Sequence, residues 1–228
     1  MRFSQLAAFL EKVITLNRVG FIGLGKLGLP CAAALSVTAK IQVTGFDVNV
    51  KVAGYVSSAS IPYQEDQCED YLKRADIRVL DSLSSFLDET DIVFVAVQTP
   101  HEPQFEGSSP VPDSVQDFDY SYIRQIASDV RDYLLRPENT QRVLTLVVIS
   151  TVLPGTMRSV VIPQLGPVLN RVKFCYNPFF IAMGTTIADY LNPEFILLGE
   201  LVPGDGDEVI ELYSKVRTLL TIALKKHR

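Results

Sequence analysis

The sequence contains only three cysteines, Cys31, Cys68 and Cys175, and only two histidines, His101 and His227. The cysteines are too few and too scattered for a disulfide framework or a zinc site, so no metal site is expected. We expect all three to behave as small apolar side chains in a reducing compartment, which favours a cytoplasmic protein. Neither histidine lies within a recognisable motif.

The chain also has no stripe of basic residues and no long apolar run. Its 21 Lys and Arg residues are outnumbered by 26 Asp and Glu residues, which gives a formal net charge of −5 and a pI near 5.1. This balance argues against a nucleic-acid partner. No apolar stretch approaches the roughly 18 residues that cross a bilayer, so no membrane partner is expected. Residues 1–17 predict an amphipathic helical extension rather than a signal peptide, because Glu11 and Lys12 interrupt their apolar run.

With 228 residues, the chain is long enough to bury an ample core. From residue 18 onward, short β-rich runs alternate with amphipathic stretches, such as the helix predicted to follow Asp119. Several runs are apolar on both faces, as parallel strands between two helix layers require. The pattern predicts an α/β fold of the Rossmann type, a doubly wound and mainly parallel sheet with helices on both faces. The β-rich runs are RVGFIG, IQVTGF, IRVL, DIVFVAV, RVLTLVVIS, RVKFCY and EFILLG.

A glycine motif follows the first of these runs. In VGFIGLGKLGLP, Gly23, Gly25 and Gly28 form G-x-G-x-x-G between an apolar strand and a helix, and Asp47 ends the next strand. Such glycines allow a tight turn and a close backbone approach, so that helix N–H groups face a pyrophosphate. An acidic residue about 20 positions later accepts from the adenosine ribose and repels a 2′-phosphate. The motif predicts NAD rather than NADP, although the nearby Lys51 weakens that preference, and a purely structural glycine turn remains the alternative.

Later segments are more specific. VAVQTP at 95–100, STVLPGT at 150–156 and NPFFIAMGTTIADYLNPEFILLG at 177–199 occur in this order, after SIPYQED at 60–66. Together they resemble the NAD-binding domain of the UDP-glucose/GDP-mannose dehydrogenase family, whose motifs read roughly PIYEP, VPTP, STVPPGT and NPEFLREG…DFLNPDRIVIG. The resemblance implies an NAD-binding Rossmann domain over residues 18–213. It also implies a C-terminal helix over 214–228 that begins the connection to a central helix and a second domain.

The resemblance also implies a reaction and a set of residue roles. Family members oxidise the C6 alcohol of a nucleotide sugar to a carboxylate, with two NAD molecules in succession and a cysteine thioester in the second step. UDP- or GDP-sugar is then the substrate of the complete enzyme, and a homodimer is left open. Thr151 is the implied catalytic residue, because the family threonine contacts the cofactor and positions a water; without the resemblance, STVLPGT is better explained as a strand end with a Pro-Gly turn. The implied cofactor residues are Gly23, Gly25, Lys26, Leu27 and Gly28 at the pyrophosphate, Asp47 at the ribose, and Thr99, Pro100 and Thr151 along the adenosine and nicotinamide side.

The chain departs from the family in the loop that begins with its Asn-Pro pair. Phe179 and Met183 stand where the family has two glutamates, and Ala182 stands where it has an arginine. Phenylalanine and methionine can neither accept a proton nor orient a water. Glu194 lies in an Asn-Pro-Glu-Phe sequence at 192–195, which fits the later DFLNPDRIVIG motif, and it is expected to be exposed.

A second departure concerns the nucleophile. Cys175 lies in the apolar run VKFCYN and is expected to be a buried structural thiol, not the family's nucleophilic cysteine. The sequence therefore predicts the NAD-binding domain of a nucleotide-sugar 6-dehydrogenase, an oxidoreductase acting on CH–OH when complete. A non-catalytic NAD-binding module is the alternative. In either case the chain alone is expected to be inactive.

Overall fold

The computed structural model describes residues 18–105, 110, 116–216 and 222–223. Its strands are β1 Val19–Ile22, β2 Val43–Phe46, β3 Ile77–Val79, β4 Ile92–Val95, β5 Leu144–Val148, β6 Val172–Tyr176, β7 Ile196–Leu197, β8 Gly199–Glu200 and β9 Ile222–Ala223. Its α-helices are α1 Gly28–Ala39, α2 Val52–Ser58, α3 Cys68–Leu72, α4 Leu83–Asp88, α5 Ser121–Leu135, α6 Ile162–Leu165, α7 Thr186–Leu191 and α8 Asp207–Val216. A π-helical turn, Met157–Val161, leads into α6, and 3-10 turns span Pro103–Phe105, Pro137–Asn139 and Gly166–Arg171.

Seven strands form one sheet in the order β3-β2-β1-β4-β5-β6-β8. All neighbours in it are parallel except β6 and β8, which pair antiparallel. The predicted doubly wound, mainly parallel Rossmann-type sheet is therefore confirmed. After β1 the chain forms β2 and then β3 on one side of it, and afterwards crosses to form β4 on its other side. The strand order therefore reverses at β1. In sheets of this kind, ligands bind at the carboxyl ends of the strands beside that reversal.

Apolar layers cover both faces of the sheet. Successive residues of a strand point to opposite faces, so Phe21 joins one layer and Ile22 the other. In the first layer, the rings of Phe21 and Phe94 stack with centroids 4.8 Å apart, beneath residues of α1, α3, α7 and α8. The second layer lies beneath α4, α5 and α6. Burial on both faces explains why these strands read as continuous apolar runs.

The predicted start of α5 is close to the observed one. The Asp119 carboxylate accepts a hydrogen bond from the Ser121 N–H at 2.8 Å, and this bond lowers the pKa of Asp119. The helix begins at Ser121, with Tyr120 at the N-cap position. The helix therefore starts one residue later than a helix directly after Asp119 would, and Asp119 bonds its first N–H from outside the N-cap position.

The proposed domain limits remain predictions. Residues 1–17 lie outside the described residues. Helix α8 extends from Asp207 to Val216, so the boundary at 213/214 falls within a helix. Ile222–Ala223 pair with β7 as a short strand, whereas the expected C-terminal helix includes them. Within the described ranges, no helix is long and apolar enough to cross a membrane.

Candidate functional site

The three glycines of the motif meet different surroundings at the carboxyl end of β1. Gly23 has φ +89°, and a Cβ there would lie 2.7 Å from the Ala96 carbonyl oxygen. A Cβ at Gly28 would lie 1.9 Å from the carbonyl oxygen of Gly23. At Gly25, by contrast, no atom lies within 4 Å of the Cβ position. Gly23 and Gly28 are therefore required by the packing of the turn. Gly25 borders open space from which a ligand could approach the protein backbone.

The first turn of α1 leaves its positive end available to an anion. The helix begins at Gly28 with Leu27 at the N-cap position, and no side chain caps it. Its first turn contains no acidic residue. The preceding Lys26 is exposed. The Leu29 N–H donates to the Gly25 carbonyl oxygen at 3.1 Å and the next residue is a proline, so the Gly28 N–H is the amide of this turn that can bind a ligand. That amide, the helix dipole and a nearby ammonium together suit a phosphate group.

Asp47 follows β2 and is held against the glycine loop. Its Oδ2 accepts from the Leu24 N–H at 2.6 Å, and its Oδ1 accepts from the Asn49 N–H at 2.7 Å. A carboxylate has about four acceptor positions, so each oxygen can still accept a further hydrogen bond. The structure thus brings the predicted ribose residue to the predicted pyrophosphate loop. It also reveals a contact that sequence reasoning missed, the bond that fastens Leu24.

Thr99 and Thr151 meet on the other side of β1, where β4 and β5 end. The Thr99 hydroxyl donates to the Thr151 carbonyl oxygen at 2.7 Å. The neighbouring Ser150 hydroxyl donates to the Val97 carbonyl oxygen at 2.6 Å, so two bonds join these segments. Thr151 and Pro100 are exposed and Thr99 is half-buried. The residues predicted for the adenosine and nicotinamide side therefore lie together at the carboxyl ends of β4 and β5.

The turn after Thr151 is fastened by Tyr120. The Leu153 N–H donates to the Tyr120 hydroxyl at 3.3 Å, and that hydroxyl donates to Asp117 at 2.6 Å. Gly155 has φ +93°, so it supplies the left-handed residue of the predicted Pro-Gly turn. Sequence reasoning did not identify Tyr120, because nothing in its local pattern distinguishes it from a core tyrosine.

Asn177 anchors the loop that follows β6. Its N–H donates to the Val148 carbonyl oxygen at 2.8 Å, which ties the loop to the end of β5. Its buried amide donates to the Leu197 carbonyl oxygen at 2.8 Å and accepts from the Tyr213 hydroxyl at 2.5 Å. The Asn-Pro break therefore fixes where the loop starts, at the same edge of the sheet as Thr151.

Beyond this anchor, the loop is apolar. Phe179 is half-buried with its ring centroid 5.4 Å from that of Tyr190, and Met183 is 61% exposed. A small pocket of about 30 Å³ beside the loop has several aromatic rings in its lining, among them Phe180, whose ring centroid lies 4.7 Å from that of Phe195. The two positions that hold glutamates in the family thus offer no proton-transfer group in this chain.

Glu65 is the functional candidate that sequence reasoning missed most clearly. Its carboxylate accepts from the Gly184 N–H at 3.0 Å, the Thr186 N–H at 2.7 Å and the Thr186 hydroxyl at 2.9 Å. Only the resemblance of residues 60–66 to a family segment marked this stretch. No local pattern could connect Glu65 to residues about 120 positions away.

Cys175 has the environment of a structural thiol. It is fully buried in β6. Burial, with the added effect of Asp205 and Glu200, raises the pKa of its thiol to about 12. The thiol therefore stays protonated near neutral pH and is a poor nucleophile. All three cysteines are buried and none forms a disulfide, as the sequence predicted, and Glu194 is exposed.

Comparison with known proteins gives a consistent result. Residues 17–217 match the family described as the UDP-glucose/GDP-mannose dehydrogenase family, NAD binding domain. The GDP-mannose 6-dehydrogenase of Pseudomonas syringae pv. tomato is 29% identical over 208 residues, which cover 87% of this chain and 44% of that protein. The ternary complex of GDP-mannose dehydrogenase from Pseudomonas aeruginosa superposes with a TM-score of 0.76 at 26% identity, covering 92% of this chain and 46% of that one. A UDP-glucose dehydrogenase from Pyrobaculum islandicum gives a TM-score of 0.77 at 23% identity, with the same coverage. The chain thus spans a little under half the length of each relative.

Proposed function

The chain belongs to the UDP-glucose/GDP-mannose dehydrogenase family and is an NAD-binding domain of it, and from this premise we propose that it is the cofactor-binding half of a nucleotide-sugar 6-dehydrogenase. One observation carries the proposal. The ligand-facing side of Gly25 is open, next to an uncapped helix and a carboxylate held on the same loop. This combination suits a dinucleotide better than it suits a structural turn.

In the proposed complex, the pyrophosphate lies against Gly25 and receives hydrogen bonds from the N–H groups of Leu27 and Gly28, with Lys26 adding positive charge. Asp47 accepts from the adenosine ribose and disfavours a 2′-phosphate. Thr99, Pro100 and Thr151 then line the path of the nicotinamide, since β4 and β5 lie on the opposite side of β1 from Asp47. Bound NAD supplies the hydride acceptor.

The substrate proposed for the complete protein is a UDP- or GDP-sugar, because the relatives are named for GDP-mannose and UDP-glucose. Its C6 alcohol would lose a hydride beside Thr151, whose role is to contact the cofactor and position a water. The proposed compartment is the cytoplasm, and a homodimer is the proposed assembly of the complete protein.

A second candidate, a non-catalytic NAD-binding module, is favoured by one specific observation. Phe179 packs on Tyr190 and Met183 is exposed, so neither position supplies a carboxylate to the reacting carbon. Turnover of a nucleotide sugar by a complete protein that contains this chain favours the enzyme. NAD binding without turnover across a panel of such sugars favours the module.

For the isolated 228-residue chain, we expect no steady-state NADH production from UDP-glucose or GDP-mannose. Loss of general acid–base groups alone typically reduces a rate by about 10²–10⁴-fold. The Pseudomonas aeruginosa GDP-mannose dehydrogenase serves as the positive control in the same absorbance assay. Turnover by the chain that disappears in Thr151→Ala would contradict this expectation and restore a catalytic role to the chain itself.

A further inference from the structure

Residues 63–66, here named the strap, connect the glycine loop with the loop that follows β6. At one end, the Tyr63 hydroxyl lies 3.5 Å from the Gly25 carbonyl oxygen. At the other end, the Asp66 N–H donates to the Gly184 carbonyl oxygen at 3.0 Å. Glu65 adds its three bonds to Gly184 and Thr186 beside that contact. The strap therefore contacts both loops at once.

These two loops lie at different points along the proposed cofactor path, one at the pyrophosphate and the other toward the nicotinamide end. Gly25 borders the space assigned to the pyrophosphate, and Asp47 fixes the adenosine end on the β2 side of β1. Residues 177–185 follow β6, beyond β4 and β5 on the other side of β1. A dinucleotide that crosses the order reversal at β1 therefore extends its nicotinamide end toward residues 177–185.

The contacts of Glu65 are strong enough to fix the position of this loop. Hydrogen bonds to an ionised carboxylate are roughly twice as strong as those between neutral groups. Two of the three donors are backbone amides, so the bonds fix the chain path itself as well as one side chain. Gly184 also has φ +101°, so the loop turns in the left-handed region at the point that Glu65 holds.

We propose that Glu65 is a positioning residue, which holds residues 177–185 against the nicotinamide end of bound NAD. This inference rests on the proposed cofactor site. Glu65 lies outside the glycine motif and outside the aligned catalytic loop. Its proposed role concerns only the nicotinamide end of the cofactor. The adenosine and pyrophosphate end is held by separate contacts around Gly25 and Asp47.

Calorimetry with two ligands tests this assignment, because ADP-ribose contains the adenosine and pyrophosphate but lacks the nicotinamide. In Glu65→Gln, an NH₂ group replaces one carboxylate oxygen. This group cannot accept hydrogen bonds from the donors at Gly184 and Thr186, so part of the contact is lost. We expect the affinity of this variant for NAD to fall about fivefold or more, the lower range of typical couplings between sites. Its affinity for ADP-ribose should equal that of the wild-type chain.

Asp66→Asn is the matched control. It removes a carboxylate from the same strap but retains the backbone bond to Gly184, and it should bind both ligands as the wild-type chain does. Equal losses for NAD and ADP-ribose in Glu65→Gln would show a merely structural role and overturn the inference, as would unchanged NAD binding. Wild-type protein that bound neither ligand would instead overturn the proposed cofactor site, and the inference with it.

Hydrogen exchange on the wild-type chain gives a second measurement that does not depend on a variant folding. NAD should slow the exchange of the Gly184 and Thr186 amides more than ADP-ribose does, because only NAD carries the group that the loop is proposed to contact. Equal exchange with the two ligands would overturn the inference.

Discussion

Gly25 and Gly28 allow the ligand role of the glycine loop to be separated from its folding role. In Gly25→Ala, the new methyl group meets no atom within 4 Å, and the backbone lies outside the left-handed region. Where the backbone is compatible, replacing Gly by Ala stabilises a protein by about 0.4–1 kcal/mol, because the unfolded chain loses freedom. In Gly28→Ala, the methyl group would lie 1.9 Å from the Gly23 carbonyl oxygen and 3.1 Å from the Ala96 Cβ. The shifts needed to accommodate such overpacking typically lower the free energy of unfolding by about 1–3 kcal/mol or more.

We therefore expect opposite results for the two variants. Gly25→Ala should keep or raise the free energy of unfolding measured by urea denaturation. It should also lose at least about tenfold in NAD affinity by calorimetry, or about 1.4 kcal/mol, because the methyl group occupies the space assigned to the pyrophosphate. Gly28→Ala should lose stability before ligand is added. A Gly25→Ala chain that binds NAD as tightly as the wild type would refute the placement of the pyrophosphate at Gly25.

Three further outcomes follow from individual side chains. Asp47→Ala should weaken NAD binding by about 1–3 kcal/mol in calorimetry, and unchanged affinity would mean that the ribose lies elsewhere. Burial acts to raise the pKa of Asp91, but hydrogen bonds and charge from Arg18 and Arg142 outweigh it, and the pKa is lowered. The carboxylate thus stabilises the fold above the unfolded pKa of about 3.9, and this contribution is lost as the pH falls through the lower folded pKa. Asp91→Asn should therefore lower the Tm at pH 7, by an amount that shrinks below about pH 3.9; a difference independent of pH would contradict this. Cys175 should resist iodoacetamide at pH 7.5 until the chain is denatured, and rapid labelling of the native chain would contradict its assignment as a buried, protonated thiol.

The sheet and the glycine loop were predictable because their signals are local. Each buried parallel strand is a short apolar run, and the motif at Gly23, Gly25 and Gly28 needs only a strand before it and a helix after it. The position of Asp47 at the end of the next strand was enough to bring it to the loop, since β1 and β2 are adjacent and parallel. The binding roles assigned to these residues remain predictions.

The supporting contacts were not predictable from local patterns. Glu65 reaches Thr186 across 121 positions of sequence, and Tyr120 supports Leu153 across 33. Such pairs depend on how whole elements pack, and a glutamate or a tyrosine has no sequence signature for a distant partner. The boundary near residue 213 also lay inside a helix, because an amphipathic pattern does not show where α8 begins.

A calorimetric titration of the wild-type chain with NAD and, separately, with NADP tests the proposed cofactor site directly. We expect NAD to bind and NADP to bind more weakly, because the Asp47 carboxylate accepts a hydrogen bond from a free ribose hydroxyl and repels a 2′-phosphate. Glu138→Ala, which removes an exposed carboxylate from the connection between α5 and β5, should leave both affinities unchanged. NADP binding equal to or tighter than NAD binding would contradict the role proposed for Asp47, and the absence of NAD binding would contradict the proposed cofactor site.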